Sequence, residues 1–254
     1  MTERLDVAVA GRGLARSRSH ARELIDSGVV LVNGSVAGKA SRPVSDQDSI
    51  VLSTVDPYVS RAAYKLLGAL DDLDLSVPSR VLDAGASTGG FTQVLLERGC
   101  RQVIAVDVGH DQLHPTLATD PRVHNHQGAN LRDLDLELVD GEPVELVVAD
   151  VSFISLTMLL ERLIGVLAPG GRLLTMIKPQ FEVGRERLGK GGVVRTDALR
   201  REGVRVVVDK AAQLGWRPSA ATRSRVPGPA GNVEYFVLFG TQAGGPDVLQ
   251  ELFG

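Results

Sequence analysis

The sequence of 254 residues contains a single cysteine, and that scarcity excludes two classes of protein. One thiol cannot form an internal disulfide, so the chain is not a disulfide-stabilised secreted domain. A zinc site built from several cysteines is excluded for the same reason. The five histidines show no metal-ligand spacing, and His124 and His126 are expected to face solvent from a strand. We therefore expect no metal and a reducing, cytoplasmic compartment.

Long apolar runs are also missing from the sequence. No uninterrupted apolar stretch approaches the ~18 residues that a membrane-spanning helix needs. The first residues, MTERLDVAVAGRG, lack the apolar core of a signal peptide. The net charge is only −3, and 43% of the residues are hydrophobic. These values predict no membrane partner, and the length allows one medium domain with a small one beside it.

The most informative segment is Val81–Phe91, which reads VLDAGASTGGF. A short apolar run ends at Asp83, a glycine-rich turn follows, and a helical pattern begins directly after it. Asp107 closes a second apolar run about 20 residues further along the chain. A strand, a glycine turn, a helix and a later carboxylate hold a nucleoside on an open parallel sheet, where the carboxylate binds the ribose hydroxyls.

The loop chemistry bears on which nucleoside this site would take. A dinucleotide site uses G-x-G-x-x-G to seat a pyrophosphate on a helix N-terminus, whereas this loop reads G-A-S-T-G-G. The charge of Asp83, directed at the loop, would repel a pyrophosphate but suit the cationic amino-acid end of S-adenosylmethionine. The loop therefore favours a methyl donor over NAD, and a structural turn without a ligand stays open at this point.

The first 53 residues have a pattern of their own. Leu5 opens a short helix that stops at Gly11, and Ser17 is a plausible N-cap for a second helix that runs to Ser27. The β run Val29–Val32 precedes Asn33-Gly34, which is a strong hairpin signal. Several basic residues lie on the second helix, its approach and the following loop. By charge alone, a phosphate-binding face and an ordinary solvated face are equally good interpretations.

The string RLDVAVAGRGLARSRSHARELIDSGVVLVNG resembles the S4-like RNA-binding domain of ribosomal proteins and RNA-modifying enzymes. This resemblance covers about the first 50 residues and favours RNA binding. It implies a set of RNA-binding residues, which are Arg4, Arg12, Arg16, Arg18, Arg22 and Lys39.

The remainder of the chain alternates strand and helix patterns, which predicts a parallel sheet. Residues 54–60 form a predicted linker, and residues 61–254 form the second domain. Seven strands are predicted: Arg80–Asp83, Val103–Asp107, Val123–His126, Val144–Asp150, Arg172–Lys178, Pro218–Ser224 and Val233–Phe239. No helix separates the last two, so they form an antiparallel pair, as is typical of S-adenosylmethionine-dependent methyltransferases. The tail from about Gly240 is expected to fray or to cap the surface.

Four polar residues stand where apolar ones would be expected: Lys65, Asp150, Lys178 and Glu234. Three of them lie at or near strand ends on the ligand edge of the predicted sheet. Two lysines and two carboxylates would neutralise one another in a partly buried cluster. The alternative is four unrelated charges, since lysine and glutamate at strand ends are usually solvated.

The motifs that the sequence lacks limit which kind of atom could accept a methyl group. Amino methylation of a base typically uses an N/D-P-P-Y/F motif, but here Asp150 is followed by Val-Ser-Phe. Methylation of a pyrimidine carbon usually needs a cysteine nucleophile, and Cys100 lies in a turn away from the ligand edge. A hydroxyl remains, and it needs a base poised near neutral pH, which a desolvated lysine can provide.

The four polar residues occur in the order and elements of the Lys-Asp-Lys-Glu tetrad of FtsJ-like ribose 2′-O-methyltransferases. The stretches DAGASTGGFT, VVADVSFISL, KPQFEVG, KGGVV and PGPAGNVEYF resemble the TlyA-type (haemolysin-A) family of rRNA methyltransferases across nearly the whole chain. The resemblance implies a Rossmann-like α/β methyltransferase domain of seven strands, preceded by the small α+β S4-like domain. It also implies S-adenosylmethionine-dependent 2′-O-methylation of cytidine in 16S or 23S rRNA, or both.

The family carry-over assigns roles to residues. Lys178 would be the general base, Asp150 and Lys65 would orient the hydroxyl, and Glu234 would hold one of the lysines. Donor-binding residues would be Asp83, Gly85, Ser87, Gly89, Gly90, Phe91, Asp107 and Asn130. Apart from the family, the charges of the loop Pro179–Gly192 indicate either a mobile basic lid over the RNA or an ordinary solvated loop, and its position directly after Lys178 favours the lid. One departure is the linker sequence Val55–Tyr58, where some relatives carry an Arg-x-Trp pattern.

Two other functions remain as alternatives. A membrane-active haemolysin is suggested by the family name, but the sequence has no spanning segment and no long amphipathic β pattern. An RNA-binding protein with an inert methyltransferase fold is the second alternative, and the intact set of four polar residues argues against it.

Overall fold

The computed structural model describes residues 2–53, 57–228, 230–242 and 247–254. The chain divides into two compact units, residues 1–61 and residues 62–254. Thr54, Val55 and Asp56 of the predicted linker lie outside the described residues, so the linker boundaries stay a prediction.

The first unit is a small α+β structure. The hydrogen bond from the His20 N–H to the Ser17 Oγ, at 3.1 Å, caps the second helix, as the sequence predicts. The hairpin turn at Asn33-Gly34 has positive φ at both residues, which explains this residue pair. Its elements are β1 (Thr2–Arg4), α1 (Leu5–Gly11), α2 (Arg18–Asp26), β2 (Val30–Val32), β3 (Ser35–Val36), β4 (Pro43–Ser45) and β5 (Ile50–Leu52). The strand order is β3-β2-β5, with β1 and β4 paired separately.

The second unit alternates strands with helices. Its helices are α3 (Ala62–Asp72), α4 (Gly90–Glu97), α5 (Pro115–Ala118), α6 (Leu160–Gly165), α7 (Pro179–Glu182), α8 (Asp197–Gln213) and α9 (Val248–Phe253). Its strands are β6 (Arg80–Ala84), β7 (Gln102–Asp107), β8 (Val123–Gln127), β9 (Val144–Ala149), β10 (Leu167–Ile177), β11 (Arg217–Arg223) and β12 (Tyr235–Gly240).

These strands form one seven-stranded sheet in the order β11-β12-β10-β9-β6-β7-β8. The five strands from β10 to β8 are parallel, and β12 runs antiparallel to both of its neighbours. The predicted fold class is therefore confirmed. The chain order reverses between β6 and β9, and ligands bind such sheets outside the carboxyl ends of the strands at that switch point.

The start of one strand differs most from the sequence prediction. Strand β10 begins five positions early, at Leu167, and its register shifts between Leu167 and Arg172 around the left-handed Gly170. Of the two outcomes expected for the tail, fraying or capping the surface, the described residues show the second, because Asp247 caps α9 and Val248 is buried. The ring of Phe253 lies 5.0 Å from the ring of Tyr235, so the tail packs onto the unit.

Candidate active site

The glycine loop lies against the end of β9. Gly85 has φ +89°, and a Cβ there would lie 2.7 Å from the carbonyl oxygen of Asp150, so a side chain is excluded. The Asp150 N–H donates to the Ala84 carbonyl at 3.0 Å. The loop and the polar residue at the end of β9 are thus held together. Gly89, with φ +93°, precedes Gly90 and Phe91, the buried first residues of α4.

Asp83 is buried more deeply than its predicted role at the loop requires. The residue is fully buried in β6, and the Thr92 hydroxyl of α4 donates to its Oδ2 at 2.6 Å. The other oxygen, Oδ1, has no hydrogen-bond partner among the described residues. Burial raises the pKa of this carboxyl to about 7, against the opposing effect of the Thr92 hydrogen bond.

Asp107 connects the two loops at the ligand edge. Its Oδ2 accepts the Ser87 N–H at 2.9 Å, and its Oδ1 accepts the Gly109 N–H at 2.7 Å. Each carboxylate oxygen retains a second lone pair for a ligand. The Ala129 N–H donates to the Asp107 carbonyl at 3.0 Å, which brings the exposed Asn130 to the same edge. Sequence analysis and geometry therefore place these two residues together.

The four polar residues form two ion pairs. Lys65 Nζ on α3 lies 2.6 Å from Glu234 Oε2, and Lys178 Nζ lies 2.6 Å from Asp150 Oδ1. Of the two lysines that Glu234 could hold, the structure selects Lys65. Ile177 pairs with Tyr235 in the sheet, so the adjacent Lys178 and Glu234 leave neighbouring strands at the same level. Strand register thus accounts for the proximity of the pairs.

Burial gives this cluster its chemical character. Both lysines and Glu234 are at most 7% exposed, and Asp150 is half-buried. Charges this deep are stable when each is paired, because an isolated one would lose its hydration without compensation. The cluster as a whole is neutral, and removal of any one member leaves an unpaired charge.

Ser152 and Phe153 are candidate site residues that the sequence analysis does not identify. Lys178 Nζ donates to the Ser152 Oγ at 2.7 Å. Phe153 is 86% exposed at φ +66°, a backbone conformation that is costly for a bulky side chain. Its ring lies 5.3 Å from the ring of Phe181. A serine and an aromatic two and three positions after a strand-end aspartate are the sequence signal that could have found them.

Glu182 ties the loop after β9 to the loop after β10. Its Oε2 accepts the Ser155 hydroxyl at 2.5 Å, and its Oε1 accepts the Leu156 N–H at 2.9 Å. Burial raises the pKa of Glu182, while both hydrogen bonds oppose that shift. The two loops that carry Ser152, Phe153 and Lys178 are therefore joined by a polar contact as well as by the aromatic pair.

The predicted basic lid makes defined contacts on this unit. Arg187 donates to Glu202 of α8 at 2.6 Å, and Gly189 and Val193 form a β-bridge. The Asn232 side chain accepts the Val194 N–H at 2.9 Å and donates to the Gly192 carbonyl at 3.0 Å. Mobility of this loop stays a prediction.

The predicted RNA-binding residues of the first unit lie in three different environments. Arg4, Arg18 and Arg22 form ion pairs with the buried Asp6. Arg12 instead donates to the backbone carbonyls of Asp48 and Ser45, at 2.7 and 2.8 Å. Arg16 and Lys39 are exposed.

The histidines and the helices bear on the predictions about metal binding and membrane spanning. His124 and His126 do not simply face solvent, because both contact the carboxylate of Asp140, at 2.7 and 3.3 Å. No group of three or more His, Cys, Asp or Glu that could hold a metal occurs among the described residues. Within the same ranges, the helices are too short or too polar to cross a membrane.

Comparison with known proteins gives two family matches. Residues 58–241 match the FtsJ-like methyltransferase family, and residues 3–50 match the S4 domain. The chain is 46% identical over 242 residues to the 16S/23S rRNA (cytidine-2′-O)-methyltransferase TlyA of Mycobacterium tuberculosis, covering 94% of this chain and 90% of the relative.

Two further relatives carry the hemolysin name. "Hemolysin A" of Brachyspira hyodysenteriae is 38% identical over 237 residues, which cover 93% of this chain and 99% of the relative. The solved structure of a putative hemolysin from Streptococcus thermophilus aligns with a TM-score of 0.79 at 33% identity. That alignment covers 99% of this chain and 94% of the other.

Proposed function

The chain belongs to the FtsJ-like methyltransferase family and, with its S4 domain, to the TlyA group of rRNA (cytidine-2′-O)-methyltransferases. We propose that it methylates the ribose 2′-hydroxyl of a cytidine in ribosomal RNA. The donor is S-adenosylmethionine, and the substrate is 16S rRNA, 23S rRNA or both. Ribosomal RNA as substrate implies that the enzyme works in the cytoplasm.

The residues at the switch point fit this donor. Asp83 Oδ1 is a buried acceptor that lacks a partner among the described residues, and the cationic methionine end of the donor would supply a charge beside it. Asp107 retains lone pairs for the two ribose hydroxyls, and Asn130 lies at the same edge. Gly85, Ser87 and Gly89 shape the loop between these carboxylates. S-adenosylmethionine supplies an electrophilic methyl group on a sulfonium.

Lys178 is placed to accept the proton of the 2′-hydroxyl. To act as a base, Lys178 must first release to solvent the proton through which it pairs with Asp150. Nζ then takes the hydroxyl proton, and the oxygen bonds to the methyl carbon as the bond from that carbon to the donor sulfur breaks, which leaves S-adenosylhomocysteine. The positive charge that then appears on Nζ is stabilised by Asp150 at 2.6 Å and by the Ser152 hydroxyl at 2.7 Å. Lys65, held by Glu234, contributes a fixed positive charge close to the developing oxyanion.

Phe153 gives this site a surface for the target base. Sequence-specific recognition of RNA commonly targets unstacked bases, and such a base stacks on an aromatic side chain. Phe153 directly follows Ser152, is exposed, and has a strained left-handed backbone. We assign the target cytosine to the face of Phe153, supported by Phe181.

The observation that carries the proposal is the two ion pairs, Lys178–Asp150 at the carboxyl ends of β10 and β9 and Lys65–Glu234 at the adjoining start of β12. The test is methyl transfer to ribosomal subunits from a strain that lacks the gene, followed by mass mapping of the rRNA. We expect one or more cytidines to gain a 2′-O-methyl group with the intact chain and none with Lys178→Ala. Modification at a base nitrogen or carbon would contradict the assignment.

A membrane-active function is the second candidate, because two of the relatives carry the hemolysin name. Lysis of erythrocytes by the purified protein is its direct test. We expect no lysis by protein preparations that methylate rRNA. Lysis by Lys178→Ala as strong as by the intact chain would show a second activity that is independent of the site.

A further inference from the structure

The first unit buries one carboxylate among three arginines. Asp6, in the first turn of α1, is fully buried, and its oxygens lie 2.9 Å from the Nε atoms of Arg4, Arg18 and Arg22. Arg18 and Arg22 are one helical turn apart on α2, so they face the same side. The guanidinium groups hold the pKa of Asp6 well below its usual range, so this carboxylate stays ionised.

The way the arginines bind Asp6 leaves most of their donors available. Arg18 and Arg22 each donate their Nε–H to Asp6 Oδ2, and Arg4 donates from Nε and Nη2. A guanidinium has five N–H donors, so Arg18 and Arg22 each keep four on their terminal nitrogens. Between 45 and 51% of each arginine side chain is exposed. The outer edges of these arginines form a fork that matches a phosphate.

The charge balance of this group points to an anion. Three guanidinium groups outnumber one carboxylate, so the group is positive on its exposed side. Without Asp6, three like charges would separate, and each long side chain would sample many rotamers. With Asp6, they are held in place before any ligand arrives, which removes part of the ordering cost of binding.

We propose that Asp6 is a positioning residue that fixes Arg4, Arg18 and Arg22 as one binding site for neighbouring phosphates of the RNA backbone. The inference rests on the proposed function in that the RNA is ribosomal. A purely structural role is the competing account, in which the arginines serve Asp6 and add little to RNA binding. The two accounts predict opposite changes in RNA affinity when the Asp6 carboxylate is removed. Its removal adds positive charge to the unit, which strengthens RNA binding if Asp6 has no positioning role and fails to do so if the arginines lose their alignment.

The test compares Asp6→Asn with Asp46→Asn in the full chain. Both substitutions remove one negative charge from the same unit, but Asp46 is exposed and lies outside this group. Binding of purified 16S and 23S rRNA is measured by filter retention at several salt concentrations. We expect Asp6→Asn to weaken binding about fivefold or more and to reduce the salt slope by about one to two. Asp46→Asn should bind as tightly as the intact chain, or tighter.

A coupling experiment separates positioning from a general loss of structure. Arg18→Ala is measured alone and combined with Asp6→Asn. If Asp6 positions Arg18, the fold-loss from Arg18→Ala is smaller in the Asp6→Asn background. Should thermal unfolding show that Asp6→Asn does not fold, Arg22→Lys replaces it, with Arg101→Lys in the second unit as its control. Lysine cannot bind Asp6 and a phosphate through separate edges, so we expect severalfold weaker binding for Arg22→Lys alone.

Folded Asp6→Asn with unchanged or tighter rRNA binding overturns the proposal, as does full additivity with Arg18→Ala. Methyl incorporation and S-adenosylmethionine affinity are measured on the same preparations. If the intact chain binds rRNA through this group but methylates none, the proposed function fails while the role of Asp6 stands. If methylation is normal and Asp6→Asn changes neither its half-saturating RNA concentration nor the RNA affinity, only the inference about Asp6 fails.

Discussion

Both units of the chain surround carboxylates with cationic side chains, but the cations are exposed in the first unit and buried in the second. In the first unit one buried carboxylate, Asp6, holds three arginines that are each about half exposed. In the second unit, two carboxylates pair with two lysines, and the lysines are almost wholly buried. An exposed excess of charge attracts a polyanion and is screened by salt. A buried, balanced set is insensitive to salt but responds to the loss of a single proton or partner.

Substitution of Lys178 is expected to have the largest effect on methylation rate and so to distinguish the buried cluster from the arginine group most clearly. Lys178→Ala removes the proton acceptor, and general-base assistance typically contributes about 10²–10⁴ in rate. We expect single-turnover methylation to fall by that factor or more while rRNA affinity stays nearly unchanged. Lys210→Ala on α8 is the control for loss of a lysine. A large loss of rRNA affinity in Lys178→Ala would mean that the buried cluster also captures RNA.

Asp83 provides a pH test of the buried region. Its pKa in the fold, about 7, lies above the ordinary value of 3.8, so the folded state binds the proton more tightly than the unfolded state. The free energy of unfolding should therefore decrease as pH rises from about 4 to about 7, by up to about 1.4 kcal/mol per pH unit. Asp83→Asn cannot ionise and should lack this slope. Parallel stability curves for the two proteins, from chemical denaturation at several pH values, would refute the assignment.

Donor binding should depend on Asp107 and not on the first unit. Asp107→Ala is expected to weaken S-adenosylmethionine binding by about 1.5–3 kcal/mol, the range for hydrogen bonds to a charged group. Calorimetry measures this directly, with Glu97→Ala on α4 as an exposed acidic control. Unchanged affinity in a folded Asp107→Ala protein would remove this carboxylate from the donor site.

Phe153 shares a property with each region. It is exposed like the arginines of the first unit, but it lies next to the buried cluster of the second unit. Phe153→Gly relieves the left-handed backbone and should leave the free energy of unfolding equal or higher. Loss of base stacking is expected to cost about 1–3 kcal/mol in RNA transition-state binding. Phe153→Tyr retains the ring and should restore methylation. If glycine methylates as well as tyrosine at this position, the base does not stack there.

Residues whose role follows from strand ends were predictable from sequence. Asp150 and Lys178 follow apolar runs, and parallel strands bring their carboxyl ends to one edge, so a pattern of runs suffices to bring them together. The partner of Lys65 was not predictable, because α3 reaches Glu234 only through the packing of a helix onto the sheet. The sequence left both lysines open for Glu234 for that reason.

Three other features depend on tertiary packing that no local pattern encodes. Asp6 reads as an ordinary acidic residue in the first turn of a helix, and its burial arises from the packing of α1 on α2. The left-handed conformation of Phe153 has no sequence signal, since bulky residues rarely adopt it. The full burial of Asp83, against Thr92 of α4, was not predictable either.

The central claim is that capture of RNA and methyl transfer belong to separate charge clusters. The most direct measurement is single-turnover methylation as a function of ribosomal-subunit concentration for Lys178→Arg and Asp6→Asn. Arginine retains a positive charge but cannot accept a proton. The account predicts that Lys178→Arg lowers the plateau rate at an unchanged half-saturating concentration, whereas Asp6→Asn raises the half-saturating concentration at an unchanged plateau. A near-normal plateau for Lys178→Arg would contradict it, because a permanent charge would then be sufficient for the reaction.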